Sequence, residues 1–142
     1  MKVQKKLQTI HGSCHCGSVT WTLDARPESV TACNCTVCRR YGVLWAYDHE
    51  GEGEGEGVSA SGVTTAYVRG SKSIAFHFCP SCGCVAYWRS VLPGADGRRR
   101  MAVNLRLTEP GPIAYLPIDH FDGLVNFEDL PRDGRCVVDL WF

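Results

Sequence analysis

The chain has 142 residues with 15 basic and 15 acidic side chains, so its formal net charge is zero. That balance argues against a nucleic-acid binder and against a membrane-surface protein, because both usually carry an excess of Lys and Arg. No apolar run approaches the roughly 18 residues of a membrane span, and residues 1–10 lack the apolar core of a secretory signal, so we expect a cytoplasmic protein with one domain, residues 1–142.

Short apolar or alternating segments follow one another along the chain, and they are typical of β-strands. They predict strands at residues 19–23, 43–47, 63–68, 74–78, 85–88 and 101–107, with edge strands at 7–10 and 136–141. No run of about ten residues has helical spacing. The 15 Gly and seven Pro fit a chain with many turns. The predicted class is mainly β, a small antiparallel fold with little helix.

Residues 50–57 alternate Glu and Gly. The four carboxylates repel one another, and the intervening glycines lose much entropy on ordering. We expect a flexible, solvated loop here, the alternatives being a hard-cation site or an acidic docking strip. Without these carboxylates the chain is modestly basic, which suits a small anionic substrate.

Nine cysteines are the unusual feature of the composition. An odd number without an export signal argues against a disulfide framework and favours metal binding. Seven of them form three clusters, which are Cys14-His-Cys16, Cys33-Asn-Cys35-Thr-Val-Cys38 and Cys79-Pro-Ser-Cys82. Both spacings allow sulfurs to converge on one centre, Cys-x-x-Cys across a tight turn and Cys-x-Cys along an extended backbone.

The number of ligands in each cluster indicates two kinds of zinc site. Structural sites are closed by four protein ligands, whereas catalytic sites use three and keep one position open. The predicted closed site consists of Cys14, Cys16, Cys79 and Cys82, and the predicted open site consists of Cys33, Cys35 and Cys38. Spacing alone leaves open a single site drawing on all three clusters, or an iron–sulfur cluster at the middle motif.

Three motifs in this order resemble the glutathione-dependent formaldehyde-activating (GFA) family, which also contains centromere protein V. They are Gly-Ser-Cys-His-Cys-Gly, Cys-Asn-Cys-Thr-Val-Cys-Arg-Arg and Phe-His-Phe-Cys-Pro-Ser-Cys-Gly-Cys, and the likeness runs over residues 11–125. The resemblance implies a β-tent fold with two zinc ions, the closed site on the first and third clusters and the open site on the middle one. It also implies addition of a thiol such as glutathione to formaldehyde or a related aldehyde, or the reverse carbon–sulfur lyase reaction.

Two functions of different classes follow. In an enzyme, the open site would hold a substrate thiol in its deprotonated form. Arg39 or Arg40, which follow the third cysteine of that loop, would clamp the anionic tail of the thiol. The alternative for both arginines is a surface pair bonded to loop carbonyls. The alternative for the protein is a non-catalytic, zinc-stabilised module that binds another protein.

We interpret the remaining candidate residues as structural rather than catalytic. We expect Cys84 to be a buried small hydrophobe, the alternative being a redox thiol beside the metal ligands, and Cys136 to pack in a strand. His77 alternates with two phenylalanines and is interpreted as a structural histidine. Asp122 and Gly123 are typical of a turn.

Overall fold

The fold is built almost entirely from short β-strands. It is described by a computed structural model over residues 9–51 and 56–140. The strands in these residues are β1 (Ile10–Ser13), β2 (Thr20–Leu23), β3 (Val30–Cys33), β4 (Trp45–His49), β5 (Val58–Ser61), β6 (Thr65–Val68), β7 (Ile74–Phe78), β8 (Val85–Ser90), β9 (Arg100–Asn104), β10 (Ile118–Asp122) and β11 (Glu128–Leu130). Helical structure in the same residues consists of the single turns α1 (Cys38–Tyr41) and α2 (Pro110–Ile113) and the 3-10 turns Leu105–Leu107 and Val137–Leu140.

The strands form two sheets. β1, β2 and β5 make a three-stranded sheet, and the larger sheet has the order β11-β10-β3-β4-β9-β8-β7-β6. The pairings between these strands are antiparallel, except that β3 and β10 run parallel. The predicted mainly β, antiparallel class with little helix is confirmed.

All six predicted internal strands correspond to observed strands, namely β2, β4, β6, β7, β8 and β9. The prediction for 101–107 is too long, because β9 ends at Asn104 and a 3-10 turn follows. The Asn104 side chain accepts a hydrogen bond from the Arg106 backbone N–H (3.1 Å), which caps that turn and ends the strand.

The two edge strands predicted near the ends of the chain agree less well with the structure. The strand predicted at 136–141 is wrong over the described residues, because Val137–Leu140 forms a 3-10 turn. The Asp139 carboxylate accepts a hydrogen bond from the Cys136 N–H (2.8 Å), an interaction that favours the turn. Of the strand predicted at 7–10, residues 7 and 8 lie outside the described part, and Ile10 begins β1.

Four observed strands, β3, β5, β10 and β11, were not predicted. Each has only three to five residues, and β3 and β5 contain small side chains that give little alternation. Pairing with neighbouring strands, which single-sequence patterns do not report, stabilises them.

Buried side chains form two clusters, and each holds part of the cysteine pattern. Cys14 and Cys79 are buried in the larger cluster, which also contains Trp21 and Val103. Cys38 is buried in the smaller one, together with Trp45, Phe76 and Trp88. The two groups of cysteines are therefore anchored in different parts of the interior.

The Glu-Gly segment is described only at its ends. At one end, Glu50 forms an ion pair with Arg89 (2.8 Å) and the Gly51 N–H donates to the Val58 carbonyl (2.9 Å). Residues 52–55 lie outside the described part, so a flexible loop there stays a prediction. Separately, none of the helices in residues 9–51 and 56–140 combines the length and the apolar character needed to cross a bilayer.

Candidate metal centres

Four cysteine sulfurs meet where the turn after β1 approaches the turn after β7. The Sγ atoms of Cys14, Cys16, Cys79 and Cys82 all lie within 4.8 Å of one another. The Cys16 sulfur is 3.7 Å from that of Cys14 and 3.6 Å from that of Cys79. Zn–S bonds of about 2.3 Å in a tetrahedron require sulfurs roughly 3.8 Å apart. This cluster could therefore hold a metal ion, and its donor set fits a closed four-thiolate zinc site.

The local backbone prepares the four sulfurs for this role. The Val19 N–H donates to the Cys14 sulfur (3.3 Å) and the Cys82 N–H to the Cys79 sulfur (3.5 Å). Gly83 has a φ of 81°, a left-handed conformation that allows the Cys79–Cys82 turn to close. Amide donors of this kind stabilise thiolates, which are the form of cysteine that binds metal.

The pKa values of these thiols differ with their surroundings. Backbone N–H donors, first that of Cys84 and then that of Cys16, lower the pKa of Cys82 to about 5. Burial raises the pKa of Cys14. As the pH rises, Cys82 therefore loses its proton before the buried Cys14 does. A cation bound in the cluster would favour deprotonation of Cys14 as well.

Three further sulfurs meet at the end of β3. Cys33 is the last residue of this strand, Cys35 lies in the following loop, and Cys38 begins α1. Their Sγ atoms also lie within 4.8 Å of one another, and no His, Cys, Asp or Glu elsewhere in residues 9–51 and 56–140 joins the group. The cluster could hold a metal ion with one coordination position left to another molecule.

Hydrogen-bond donors surround this second group as well. The Cys38 N–H donates to the Cys35 sulfur (3.3 Å), and the indole Nε1–H of buried Trp45 donates to the Cys38 sulfur (3.3 Å). A hydrogen bond between Cys33 and Cys38 lowers the pKa of Cys33 to about 6 and raises that of Cys38, which is also buried. Without a cation, the pair thus retains a proton on Cys38 while Cys33 is the thiolate.

A loop that follows β10 lies against Cys33 and Cys35, two of the three clustered cysteines. The parallel pairing of β10 with β3 aligns Phe121 with Cys33, so the next residues pass beside the cluster. A Cβ atom on Gly123 would lie 2.6 Å from the Cys33 sulfur and 3.1 Å from the Cys35 Cβ. Only a residue without a side chain fits there, since an alanine would force the loop or the sulfur to move.

Two polar side chains hold this loop in place. The Asp122 carboxylate accepts hydrogen bonds from the N–H groups of Val125 and Asn126 (both 3.1 Å), as the predicted turn requires. Asn34, between two of the cysteines, donates to Asp122 (3.2 Å) and accepts from the Leu124 N–H (3.1 Å). The contributions of Gly123, Trp45 and Asn34 were missed in the sequence. The position of Asn34 within the cysteine motif was the one available signal.

The other candidate residues lie around these clusters. Arg39 and Arg40 are exposed on α1, and Arg40 donates to the Thr36 carbonyl (2.9 Å), as a surface arginine would. Cys84 is half-buried against the larger core cluster, and its carbonyl accepts from the Cys79 N–H (3.0 Å). Cys136 is half-buried just before a 3-10 turn rather than in a strand.

His77 makes contacts that suit the structural role predicted for it. Its Nδ1 lies 2.8 Å from the Thr64 hydroxyl, and its ring stacks on that of Tyr87 with centroids 4.7 Å apart. The ring thus joins strand β8 to the segment that leads into β6.

Comparison with family models identifies the same family that the cysteine motifs resemble. Residues 9–108 match the family model described as glutathione-dependent formaldehyde-activating enzyme, and this range includes all seven clustered cysteines. A crystal structure of a Rhodobacter sphaeroides protein is similar with a TM-score of 0.55 and 23% sequence identity, over 70% of this chain and 88% of that one. At this identity the likeness concerns the fold. No curated protein matches the chain.

Proposed function

The chain belongs to the glutathione-dependent formaldehyde-activating family, and from that premise we propose that it is a zinc-dependent carbon–sulfur lyase. It would add a small thiol such as glutathione to formaldehyde or a related aldehyde, or catalyse the reverse cleavage. The observation that carries this proposal is the group of three sulfurs without a fourth protein ligand among the described residues.

The ligands divide between a structural and a reactive role in this proposal. Cys33, Cys35 and Cys38 would hold the zinc ion that takes part in the reaction. The structural zinc would be held by Cys14, Cys16, Cys79 and Cys82, two pairs whose closest members, Cys16 and Cys79, are 63 positions apart in the sequence. Such a link compensates for the small core of a short chain. We also propose that residues 1–142 act as one domain, since Ile10 and Val137 belong to the same core cluster.

The chain's own groups would prepare the reactive site for a thiol. A zinc ion bound there would supply positive charge that favours the deprotonated form of the substrate sulfur. The Cys38 N–H donates to the Cys35 sulfur and the Trp45 indole N–H donates to the Cys38 sulfur, and these bonds spread the negative charge of the ligand sulfurs and hold them in place. The close approach of Gly123 limits the space beside Cys33, so that the substrate must enter from another side.

The overall reaction balances without a further reactant. The substrate sulfur forms a bond to the aldehyde carbon, the π electrons of the C=O bond move to oxygen, and the proton released by the thiol is returned to that oxygen through water. The product is an S-(hydroxymethyl) thiol. The reverse reaction breaks the same carbon–sulfur bond and returns the proton to sulfur.

Metal content and thiol binding test this proposal together. The purified protein should contain two zinc ions per chain. In protein with cobalt in place of zinc, glutathione should shift the sulfur-to-cobalt charge-transfer bands of one site. Cys35→Ser should lose one metal ion, the glutathione-dependent shift and the lyase activity, while Cys136→Ser, which alters a thiol outside both clusters, should retain all three.

Two results would contradict the proposal. One is full metal content and full activity in Cys35→Ser. The other is a wild-type protein with two metal ions whose spectra ignore small thiols, which would favour the protein-interaction module. Far-UV circular dichroism of each variant separates loss of a site from loss of the fold.

A further inference from the structure

A cavity lies against the loop that carries the three-cysteine cluster. Its volume is about 380 Å³, within the range of small-molecule sites. The lining residues are Thr36, Val37, Arg40, Tyr41, Tyr67 and Arg69. Four of them come from the cysteine loop and α1, and two come from β6 and the residue after it. Two separate chain segments therefore build its walls.

The polar groups in this lining favour a negatively charged ligand. Arg40 and Arg69 both contribute guanidinium groups, and none of the six residues is acidic. Neither arginine forms an ion pair with a carboxylate of residues 9–51 or 56–140. Arg40 uses its Nη1 in the bond to the Thr36 carbonyl, which orients the side chain and leaves its other N–H donors. Two guanidinium groups can each bind a carboxylate through paired hydrogen bonds.

The tyrosines give the cavity firm walls. The Tyr41 ring packs against that of Phe76, with ring centroids 5.5 Å apart, and Phe76 is buried in the smaller core cluster. Tyr67 is 45% exposed on the facing strand β6. Phenol rings of this kind offer an apolar surface to the carbon chain of a ligand and a hydroxyl group to its polar atoms.

The cavity and the reactive cluster share the same short loop. Thr36 directly follows Cys35, and Val37 directly precedes Cys38, so the cavity wall and two of the sulfurs are one residue apart along the chain. A peptide-sized thiol anchored in the cavity would remain close to the three sulfurs. Arg39, the other candidate from the sequence, is exposed and is absent from the lining.

We propose that this cavity binds the carboxylate-bearing tail of the thiol substrate, with Arg40 and Arg69 as the residues that select an anionic thiol. This inference rests on the proposed function and assigns the residues by which the site would favour thiols with free carboxylates over neutral thiols. Arg40 and Arg69 are thus specificity residues.

S-methylglutathione tests the cavity separately from the metal, because its sulfur carries no proton to lose while its carboxylates are intact. Calorimetric titration of the zinc-loaded protein should show binding that weakens about tenfold in Arg40→Gln and again in Arg69→Gln. The matched control is Arg26→Gln, which neutralises an exposed arginine outside the lining and should bind as the wild type does.

The outcomes distinguish the two proposals. Absence of S-methylglutathione binding, or wild-type affinity in both Arg40→Gln and Arg69→Gln, overturns the cavity assignment. Equal weakening in Arg39→Gln and Arg40→Gln also overturns it, because only one of these side chains lines the cavity. The proposed function is tested by a neutral thiol, 2-mercaptoethanol, which should shift the cobalt spectrum equally in the wild type and the two cavity variants.

Discussion

The indole Nε1–H of Trp45 donates a hydrogen bond to the Cys38 sulfur at 3.3 Å, inside the smaller core cluster. Trp45 is 1% exposed and Cys38 is 7% exposed, so water does not compete for this contact. A buried aromatic residue of β4 thereby controls the position and charge of one of the three clustered sulfurs. The relationship links the packing of the sheet directly to the candidate reactive site.

We predict that Trp45→Phe weakens zinc binding at the three-cysteine site about tenfold, because partners that hydrogen-bond to metal ligands typically contribute this much to affinity. The four-cysteine site should be unaffected. Competition with a chromophoric chelator measures both affinities. Trp88→Phe is the matched control, since Trp88 is buried in the same cluster and has no hydrogen bond to a cysteine in the described residues. Equal affinity loss in both variants would indicate a packing effect alone.

Replacement of Gly123 should remove the metal ion from one site only. In Gly123→Ala, the new methyl group would lie 2.6 Å from the Cys33 sulfur, closer than real contacts allow. We expect the zinc content to fall from two ions per chain toward one, with loss of lyase activity. Gly111→Ala is the control, because a Cβ there meets nothing within 4 Å. Full zinc content in Gly123→Ala would contradict the described loop position.

The Asp122 carboxylate should make stability depend on acid pH. Backbone N–H donors, first that of Asn126 and then that of Val125, hold the pKa of Asp122 below its usual value. The stabilisation is therefore present above the unfolded pKa of about 3.9 and is lost as the pH falls through the lower folded pKa. Asp122→Asn should lower the melting temperature at pH 7. Below about pH 4, the melting temperature of this variant should fall less steeply with decreasing pH than that of the wild type.

An exposed carboxylate outside this loop provides the control for the Asp122 prediction. Glu28 is exposed and forms no hydrogen bond among the described side chains, so Glu28→Gln should leave the acid profile unchanged. Thermal unfolding followed by circular dichroism between pH 2 and pH 7 compares the two variants. Parallel acid profiles for Asp122→Asn and the wild type would contradict a role for this carboxylate in holding the loop.

Removal of metal should affect the two clusters unequally. The four-cysteine group joins the turn after β1 to the turn after β7, and Cys79 in it is fully buried. Cys79→Ser should abolish cooperative unfolding, since a structural zinc contributes on the order of 10 kcal/mol to folding. The Cys35→Ser variant, altered at a half-buried residue of the three-cysteine group, should remain folded. Melting curves with and without EDTA measure the difference, and an equal loss in both variants would count against the division.

Ligand spacing is a local property, so the three cysteine clusters could be read from the chain alone. Ligand number favoured a division into four and three, but spacing left the grouping open, and it is the fold that brings the sulfurs together in groups of four and three. Strand periods were similarly readable where alternation was strong, as at β2, but not in short strands such as β3 and β10. The 3-10 turn after Asn104 was missed because a side-chain cap overrode the alternating pattern.

Contacts between distant segments depend on the tertiary structure. The parallel pairing of β3 with β10 brings Gly123 against Cys33, and the packing of β4 directs the Trp45 N–H at Cys38. The fold also brings Arg40 and Arg69 to the lining of the same cavity, although they are 29 positions apart in sequence. Amino-acid order therefore determined which atoms could bind a metal. The sheet register determined which groups surround those atoms, because register sets the neighbours of every residue across the sheet.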